Sequence, residues 1–366
     1  MLYTRLDDGS TRPGWKLRLL LLRNRLVGNS AFQRWALSNP LTRIKARRHA
    51  RALFDLTAGF VYSQVTSALV ESDLLDALAT RPRSEQEAAE LSGLGIESAR
   101  TLLRAAASLG LTAEAESRWT LGERGGALAG MPGLSDMIRH HRLLYADLAD
   151  PLAMLRREGP GALASLWTYD DPGGGEEARI YSRLMTATQP MVAAQALAAY
   201  SFTRHVRLLD IGGGQGAFLR EIGHEYPALG LGLFDRPAVI ETIGDRDGIR
   251  LHAGSFLTDP LPGGYDLHSL VRVLHDHDDA AAMAILQASR RALPPGGRLL
   301  IVEPMAEVGR APEGHAYFGF YLAAMRSGRP RTAAEIRAML RGAGFARVSA
   351  CRTPLPLVAH CLVAST

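Results

Sequence analysis

A glycine-rich stretch of the sequence has the residue types and the spacing to hold a small nucleotide-like ligand. Residues 207–221 read RLLDIGGGQGAFLRE, so that an apolar run ends near Asp210 and four glycines follow within five positions. Gly212 and Gly214 allow a tight turn and a close approach of the backbone to a ligand, and Gly216 begins the next helix. A nucleotide phosphate, a dinucleotide and a nucleoside without phosphates would each fit part of this pattern.

The residues that follow the glycines exclude a phosphate-binding P-loop. Such a loop requires a lysine and then a serine or threonine directly after its last glycine. Here Ala217 and Phe218 follow Gly216, and lysine occurs in the chain only as Lys16 and Lys45. The scarcity of lysine also excludes a Schiff-base mechanism in the body of the chain.

Two acidic residues distinguish the remaining ligands. The pattern G-x-G-x-x-A runs from Gly212 to Ala217 and Asp235 follows at a suitable distance, so a nicotinamide dinucleotide and hence an oxidoreductase stays open. Asp210, just ahead of the glycines, would repel a pyrophosphate but suits the cationic methionine end of S-adenosylmethionine. Asp235 can accept hydrogen bonds from both ribose hydroxyls. These features favour S-adenosylmethionine.

The second half of the chain has a pattern that would place these residues at one edge of a sheet. From residue 206 onward, short apolar runs alternate with helical stretches, at 206–212, 229–235, 249–256, 265–275, 297–304, 346–353 and 357–364. The alternation predicts an α/β fold with a seven-stranded, doubly wound, Rossmann-like sheet, whose ligands bind beyond the carboxyl ends of the strands. No helix separates the last two runs, so we expect them to form an antiparallel pair.

The first half of the chain predicts a mainly α region with a winged helix. Residues 50–80 carry apolar residues at helical spacing and are predicted to be helical. Ser84 and Glu87 form a capping box ahead of a second helix, a glycine turn leads into a third, and residues 111–121 read as a hairpin. This order raises the hypothesis of a winged-helix regulator that binds DNA.

The charge of the winged-helix segment argues against nucleic acid as a partner. Between residues 84 and 116 the chain carries six glutamates, and its only cations are Arg100 and Arg104. A helix that reads DNA must neutralise phosphates with lysine or arginine. We therefore expect no nucleic acid and assign this segment a packing or dimerising role.

Basic residues concentrate at the N-terminus. Residues 1–50 hold eleven lysines and arginines against only Asp7 and Asp8. No segment reaches the roughly 20 apolar residues of a membrane-spanning helix, and the apolar stretch 15–28 is interrupted by four cations. We expect residues 1–48 to be a basic extension that packs on the body of the protein or stays mobile, with peripheral contact to an anionic membrane surface as the alternative.

Residues 50–366 resemble the S-adenosylmethionine-dependent O-methyltransferases of the caffeate/acetylserotonin type. The resemblance rests on the joint order and spacing of the motifs LLDIGGGQGAFL, LFDRPAVIE, GSF, RVLHDHDD, LPPGGRLLIVEP and RTAAEIRAMLRGAGF. It implies S-adenosyl-L-methionine as cofactor and a homodimer formed through an N-terminal winged-helix domain.

The resemblance also assigns roles to single residues. It implies that His275, which begins HDHDD, is the general base and that Glu303, in IVEP, orients it. Cofactor-binding residues are expected at Asp210, Gly212, Gly214, Asp235, Ser255, Phe256 and Arg272. No metal site is expected, because the acidic residues that follow His275 are interpreted as helix caps, namely Asp276, Asp278 and Asp279.

Three positions depart from the family pattern. Ser255 stands where an aspartate usually binds the adenine amino group, although a serine hydroxyl can accept the same bond. His277 replaces the usual tryptophan, and Pro330 replaces an acidic residue that often precedes the R-T pair. Catalysis would therefore depend on Glu303 alone as the partner of the histidine.

A narrower resemblance concerns the acceptor. Residues 23–65 are similar to hydroxyneurosporene/demethylspheroidene O-methyltransferases of bacterial carotenoid synthesis, which implies a tertiary hydroxyl of an acyclic carotenoid. The alternative acceptor is a phenolic or polyketide natural product. A tertiary alcohol is a weak acid, so its proton must leave as the bond to carbon forms, a task for a histidine with a pKa of about 6.5. The aromatic and methionine residues at 315–325 are expected to help form an apolar acceptor pocket.

These interpretations divide the chain into four predicted segments: a basic extension at 1–48, a winged-helix dimerisation domain at 49–130, a helical linker and acceptor-pocket region at 131–200, and an S-adenosylmethionine-binding catalytic domain at 201–366. The glycine run at 173–175 follows no strand and is predicted to be a loop. Cys351 and Cys361 form neither a disulfide framework nor a metal cluster, which favours a cytoplasmic protein.

Overall fold

The computed structural model describes residues 14–131, 133–159, 161–166, 176–244, 247–306 and 313–366 of the 366-residue chain. The chain forms two compact units, one that ends at Ala68 and one that begins at Leu69. The predicted loop at 173–175 and the first 13 residues of the predicted extension lie outside the described residues. Within the described ranges, no helix is long and apolar enough to cross a membrane.

The first unit is built from helices. α1 (Trp15–Val27) and α2 (Ser30–Ser38) are short, and the boundary between the two units falls within the long α3 (Arg43–Glu71). The side chain of Asn29 accepts a hydrogen bond from Phe32 N at 3.0 Å and so caps α2. None of the residues of α1 is buried.

The helical prediction for residues 50–80 is confirmed, and a short turn divides the segment into two helices. α3 ends at Glu71 and α4 (Leu74–Thr80) begins three residues later, because Asp73 adopts a left-handed backbone conformation with φ 56°. Aspartate is one of the few residues that visit this conformation. The turn allows α4 to bury three leucines, which helical periodicity alone does not reveal.

A helix-turn-helix and a hairpin follow, as predicted. The four elements are α5 (Glu85–Ser92), α6 (Ile96–Ser108), β1 (Thr112–Ala115) and β2 (Arg118–Leu121). The capping box is confirmed, because Glu87 N donates to Ser84 Oγ at 3.1 Å and Ser84 N donates to Glu87 Oε2 at 2.8 Å. Arg100 forms ion pairs with Glu85 at 2.7 Å and with Glu97 at 2.6 Å. One of the two arginines of this acidic segment is therefore already neutralised within it.

The region between the hairpin and the large sheet is mostly helical, as predicted. Its elements are α7 (Glu123–Ala129), α8 (Leu134–Leu148), α9 (Pro151–Leu155), a 3-10 helix (Ala164–Leu166) and α10 (Glu176–Ala199). Leu144, Met154 and Leu163 pack in one apolar cluster with Tyr321 and Met325. The aromatic segment at 315–325 therefore packs against this helical region.

The predicted seven-stranded sheet is confirmed. Its strands are β3 (Arg207–Ile211), β4 (Gly230–Asp235), β5 (Arg250–Ala253), β6 (Leu267–Val271), β7 (Arg298–Glu303), β8 (Arg347–Cys351) and β9 (His360–Ser365). The order is β5-β4-β3-β6-β7-β9-β8. Neighbouring strands are parallel except β9, which runs antiparallel to both β7 and β8, so the expected antiparallel pair is present.

Helices cover both faces of the sheet. The remaining helices are α11 (Ala217–Glu225), α12 (Pro237–Ile240), α13 (Asp279–Ala292), α14 (Glu313–Met325) and α15 (Ala333–Gly342). In β3, Leu208 belongs to one buried apolar cluster and Leu209 to the other, because successive strand residues point to opposite faces. The strand order reverses between β3 and β6, and a ligand crevice is expected there, at the carboxyl ends of the strands.

Candidate active site

The glycine turn lies at the carboxyl end of β3, where the sequence predicted it. Gly212 and Gly214 have left-handed backbone conformations, with φ of 71° and 58°. A Cβ atom on Gly212 would lie 3.1 Å from a methyl carbon of Val273 and 3.2 Å from the Phe256 ring. Glycine is favoured at this position, because the backbone conformation strains other residues and an added Cβ would force Val273 or Phe256 to shift.

Asp210 is completely buried at the same end of β3. Ser269 Oγ donates to Asp210 Oδ1 at 2.6 Å, whereas Asp210 Oδ2 is buried without a partner and would be overlapped by a Cβ on Gly213. Burial raises the pKa of this carboxyl to about 7. Because a buried acceptor without a partner is costly, the free oxygen fits a site for a cationic ligand such as the methionine end of S-adenosylmethionine.

Asp235 connects the end of β4 to the glycine turn. Its Oδ2 accepts a hydrogen bond from Gly214 N at 2.8 Å and its Oδ1 accepts one from Arg236 N at 2.8 Å. The carboxyl is nearly buried, and burial raises its pKa. Each oxygen keeps a further lone pair, so the residue remains able to accept hydrogen bonds from ribose hydroxyls.

Ser255 and Phe256 follow β5 and make different contacts. Ser255 N donates to Asp259 Oδ2 at 2.8 Å, and Leu257 N lies 3.4 Å from Ser255 Oγ, so this serine also supports its own turn. The Phe256 ring packs edge-on against His277, with 5.3 Å between the ring centroids. The position of the usual family tryptophan is thus taken by a histidine in an aromatic contact.

Arg272 is directed towards α10. Its guanidinium donates to Thr188 Oγ1 at 2.8 Å, to the Met185 carbonyl oxygen at 2.8 Å and to Gln189 Oε1. The residue has φ 55°, a rare conformation for a non-glycine residue and one that concentrates at functional sites. A contact between Arg272 and the cofactor stays a prediction.

His275 is held between two carboxylates. It lies in a 3-10 helix (Leu274–Asp276) after β6, with Nδ1 3.5 Å from Glu303 Oε2 and Nε2 3.2 Å from Asp276 Oδ1. Glu303, the last residue of β7, is fully buried and also accepts from His275 N at 3.3 Å. Burial alone would lower the pKa of His275, but Asp276 and Glu303 together raise it to about 10.

Asp276 is the site residue that sequence reasoning missed. We interpreted Asp276, Asp278 and Asp279 as helix caps, and the structure corrects this. Asp276 faces His275, Asp278 occupies the N-cap position of α13 without a side-chain capping bond, and Asp279 pairs with Arg331. Adjacency to His275 was the only available signal, and it does not reveal the direction of a side chain.

The aromatic helix α14 contributes two further polar contacts. His140 Nε2 lies 2.9 Å from Tyr321 Oη, and His141 Nε2 lies 2.8 Å from Tyr317 Oη. Tyr321 is buried, and burial, with smaller contributions from Tyr317 and Asp276, raises its pKa, so its hydroxyl stays protonated at neutral pH. The predicted acceptor segment therefore carries polar groups as well as apolar ones.

The site therefore lies at one edge of the sheet, at or just after the carboxyl ends of β3, β4, β6 and β7, which carry Asp210, Asp235, His275 and Glu303.

Residues 145–346 match the protein family described as O-methyltransferase domain. The demethylspheroidene O-methyltransferase of Cereibacter sphaeroides is 42% identical over 353 residues, with 93% of each chain covered. The enzyme of the same name from Rhodobacter capsulatus is 43% identical over 338 residues, covering 89% of this chain and 84% of the relative.

The solved structures agree on the fold. Human N-acetylserotonin methyltransferase in complex with SAM superposes with a TM-score of 0.74 at 24% identity, over 87% of this chain and 97% of that one. The family match covers more than half of the chain, and the two bacterial relatives are similar over nearly all of it. The chain therefore belongs to the S-adenosylmethionine-dependent O-methyltransferases.

Proposed function

We propose that this enzyme methylates a tertiary hydroxyl of an acyclic carotenoid. The observation that carries the proposal is its similarity, over nearly the whole chain, to two enzymes named for demethylspheroidene. The apolar cluster of α8, α9 and α14, which includes Leu144, Met154, Tyr321 and Met325, supports an apolar acceptor. A phenolic or polyketide hydroxyl is the second candidate.

His275 serves as the general base in this proposal. When bound, S-adenosylmethionine supplies a methyl group on a positively charged sulfur. His275 Nε2 would accept the proton of the acceptor hydroxyl as that oxygen receives the methyl group. General base catalysis of this kind contributes about 10²–10⁴-fold.

The two carboxylates have different tasks in the proposed mechanism. Glu303, on the Nδ1 side, fixes the orientation of the ring and stabilises the imidazolium that forms. Asp276 faces Nε2, the atom that must receive the proton, so the acceptor hydroxyl has to displace this carboxylate. The resting arrangement favours the imidazolium, and displacement of Asp276 favours the neutral base.

The glycine turn and its neighbours form the proposed cofactor site. Asp210 offers a free carboxylate oxygen to a positive charge, Asp235 offers two acceptors to the ribose, and the left-handed turn at Gly212 brings the backbone close. Phe256 provides an aromatic surface beside that turn. These contacts support S-adenosylmethionine on the residues of this chain.

We further propose that the first unit and the start of the second mediate assembly. Along α3, five large apolar side chains are more than 60% exposed, namely Ile44, Leu53, Phe54, Leu56 and Phe60. A second copy of the chain would cover this surface in a homodimer.

We also propose that α1 contacts the membrane surface. It exposes Trp15 and six leucines and carries four cations and no acidic residue. A helix of 13 residues with no buried side chain is marginal in water. Apolar and basic residues together suit the interface of an anionic bilayer, which would bring the enzyme to an apolar acceptor.

A transfer assay tests the proposed reaction. Purified enzyme and labelled S-adenosylmethionine are offered a hydroxylated acyclic carotenoid in detergent, and simple phenols in parallel, with His275→Ala as the variant. We expect methylation of the carotenoid and a loss of roughly 10²-fold or more in the variant. Transfer to phenols alone would contradict the acceptor, and an undiminished rate in the variant would contradict the base.

A further inference from the structure

Arg331 is the only arginine of the described residues that is completely buried, and it holds the turn that carries His275. Its Nη1 donates to the Leu274 carbonyl oxygen at 2.5 Å and its Nη2 donates to the His277 carbonyl oxygen at 2.7 Å. Nε and Nη2 also donate to Asp279 Oδ1 at 2.9 and 2.8 Å. The guanidinium therefore bonds main-chain carbonyl groups both before and after His275 in the chain.

The residues just before Arg331 satisfy the two carbonyl groups in between. The main-chain N–H of residue 329 donates to the His275 carbonyl oxygen at 2.9 Å, and Ser327 Oγ donates to that of Asp276 at 2.6 Å. Gly328 packs so closely that a Cβ there would overlap the His275 carbonyl oxygen. Segment 327–331 thus donates hydrogen bonds to four consecutive carbonyl oxygens of the turn, those of residues 274–277.

Segment 327–331 is also hydrogen-bonded to the chain that follows β7, the strand that ends with Glu303. Ala306 N donates to the Arg331 carbonyl oxygen at 2.8 Å, three residues after Glu303 ends β7. Arg331 therefore contacts the His275 turn through its side chain and the Glu303 segment through its main chain. Arg331 thus connects the chain segment that carries the imidazole of His275 to the segment that carries the carboxylate of Glu303.

The chemistry of the side chain explains why arginine stands here. Burial of a charge is costly unless the charge is paired and its donors are satisfied. The planar guanidinium presents five donors in a fixed fork and can bond a carboxylate and two carbonyl groups at once. Lysine keeps the charge, but its three donors sit on one ammonium nitrogen. It therefore lacks the planar fork that reaches both carbonyl groups and the carboxylate at once.

We propose that Arg331 is a positioning residue for the base: through the Leu274 and His277 carbonyl groups it sets the placement of His275 between Glu303 and Asp276. The inference rests on the proposed role of His275 as general base. Arg331 touches neither substrate nor cofactor in this proposal and acts only through the histidine. Because α14 runs directly into segment 327–331, the acceptor helix and the base are also held by one continuous stretch of chain.

The kinetic test compares Arg331→Lys with Arg290→Lys. Arg290 also donates to a main-chain carbonyl group, that of Gly344 at 2.9 Å, but lies on α13 away from the crevice. We expect Arg331→Lys to lower kcat roughly tenfold to a hundredfold while KM for S-adenosylmethionine is unchanged, since small misplacements of a reacting group have effects of this size. Arg290→Lys is expected to keep the wild-type kcat, and equal kcat values for the two variants would overturn the proposal.

A spectroscopic test separates this inference from the proposed function. The ring nitrogens of His275, assigned by comparison with His275→Gln, are titrated by NMR in the absence of acceptor. In Arg331→Lys the pKa of the ring should move towards the ordinary histidine value, and an unmoved pKa contradicts the positioning role whether or not His275 is the base. If Arg331→Lys does not fold, Asp279→Ala, which removes the acceptor of Arg331 Nε and Nη2, should lower kcat in the same sense, and an unchanged kcat there counts against the proposal.

Discussion

At the scale of single residues, the site is governed by a competition between burial and charge at His275. Burial disfavours the imidazolium, whereas Asp276 on Nε2 and Glu303 on Nδ1 favour it, and the carboxylates prevail. A histidine must be neutral to accept a proton as a general base. The pH dependence of the enzyme should therefore report how strongly the two carboxylates hold the imidazolium.

Replacement of Asp276 tests this balance. Asp276→Asn removes one charge that raises the pKa of His275, so the neutral base forms at lower pH. The acidic limb of the kcat/KM profile against pH is expected to move down by about one unit or more. Asp278→Asn is the matched control, because Asp278 is exposed and makes no capping bond; a profile that moves equally in both variants would show that proximity to His275 is irrelevant.

The ion pairs of His275 with Asp276 and Glu303 should also influence the stability of the fold. The folded-state pKa of His275 lies above the ordinary value, so the ion pairs stabilise the fold fully below about pH 6.5, and this contribution is lost as the pH rises through about 10. Asp276→Asn removes part of that contribution. Thermal unfolding at low and at high pH is expected to give a smaller difference in Tm for the variant than for the wild type.

At the scale of elements, the strand-to-helix turn after β3 determines how closely a ligand can approach. Gly212→Ala would force a side chain into a left-handed conformation, at about 1–2 kcal/mol, and would press its Cβ against Val273 and Phe256. We expect calorimetry to show that the variant binds S-adenosylmethionine at least about tenfold more weakly. Gly244→Ala, where an added Cβ meets nothing within 4 Å, should bind as the wild type does.

If Gly212→Ala keeps wild-type affinity, the ligand does not approach the backbone at this turn, and the proposed cofactor site is misplaced.

At the scale of the whole molecule, the exposed apolar side chains of α3 predict self-association. Leu56 and Phe60 are 80% and 72% exposed. The double variant Leu56→Asp with Phe60→Asp should convert a dimer into a monomer in light scattering, because it places two charges in the interface. Leu355→Asp, also at an exposed leucine, should leave the dimer intact; a monomeric wild type or a dimeric double variant would contradict the assignment.

The cations of α1 predict association with anionic vesicles. Replacement of Lys16, Arg18, Arg23 and Arg25 by glutamine should weaken co-sedimentation with vesicles that contain phosphatidylserine, since each cation near such a surface is worth about 1 kcal/mol. Vesicles of phosphatidylcholine alone serve as the control. Equal binding of wild type and variant to both vesicle types would exclude an electrostatic contact through this helix.

The sequence by itself determined what depends on neighbours along the chain. Apolar runs of strand length predicted the seven strands, the glycines predicted the turn after β3, and Ser84 with Glu87 predicted a helix start. Asp210 and Asp235 could be placed at one edge of the sheet because parallel strands share the direction of their carboxyl ends. Each of these inferences requires only local conformation and the geometry of a parallel sheet.

The tertiary structure decided which way side chains point and what they meet across long separations. Asp276 faces His275 instead of capping a helix. Arg272 donates hydrogen bonds to α10, more than 80 residues away in sequence. Arg331 donates hydrogen bonds to a turn that lies more than 50 residues before it. The left-handed break at Asp73 likewise follows from burial of the leucines beyond it. Such contacts arise from packing among distant segments, and no local pattern in the sequence encodes them.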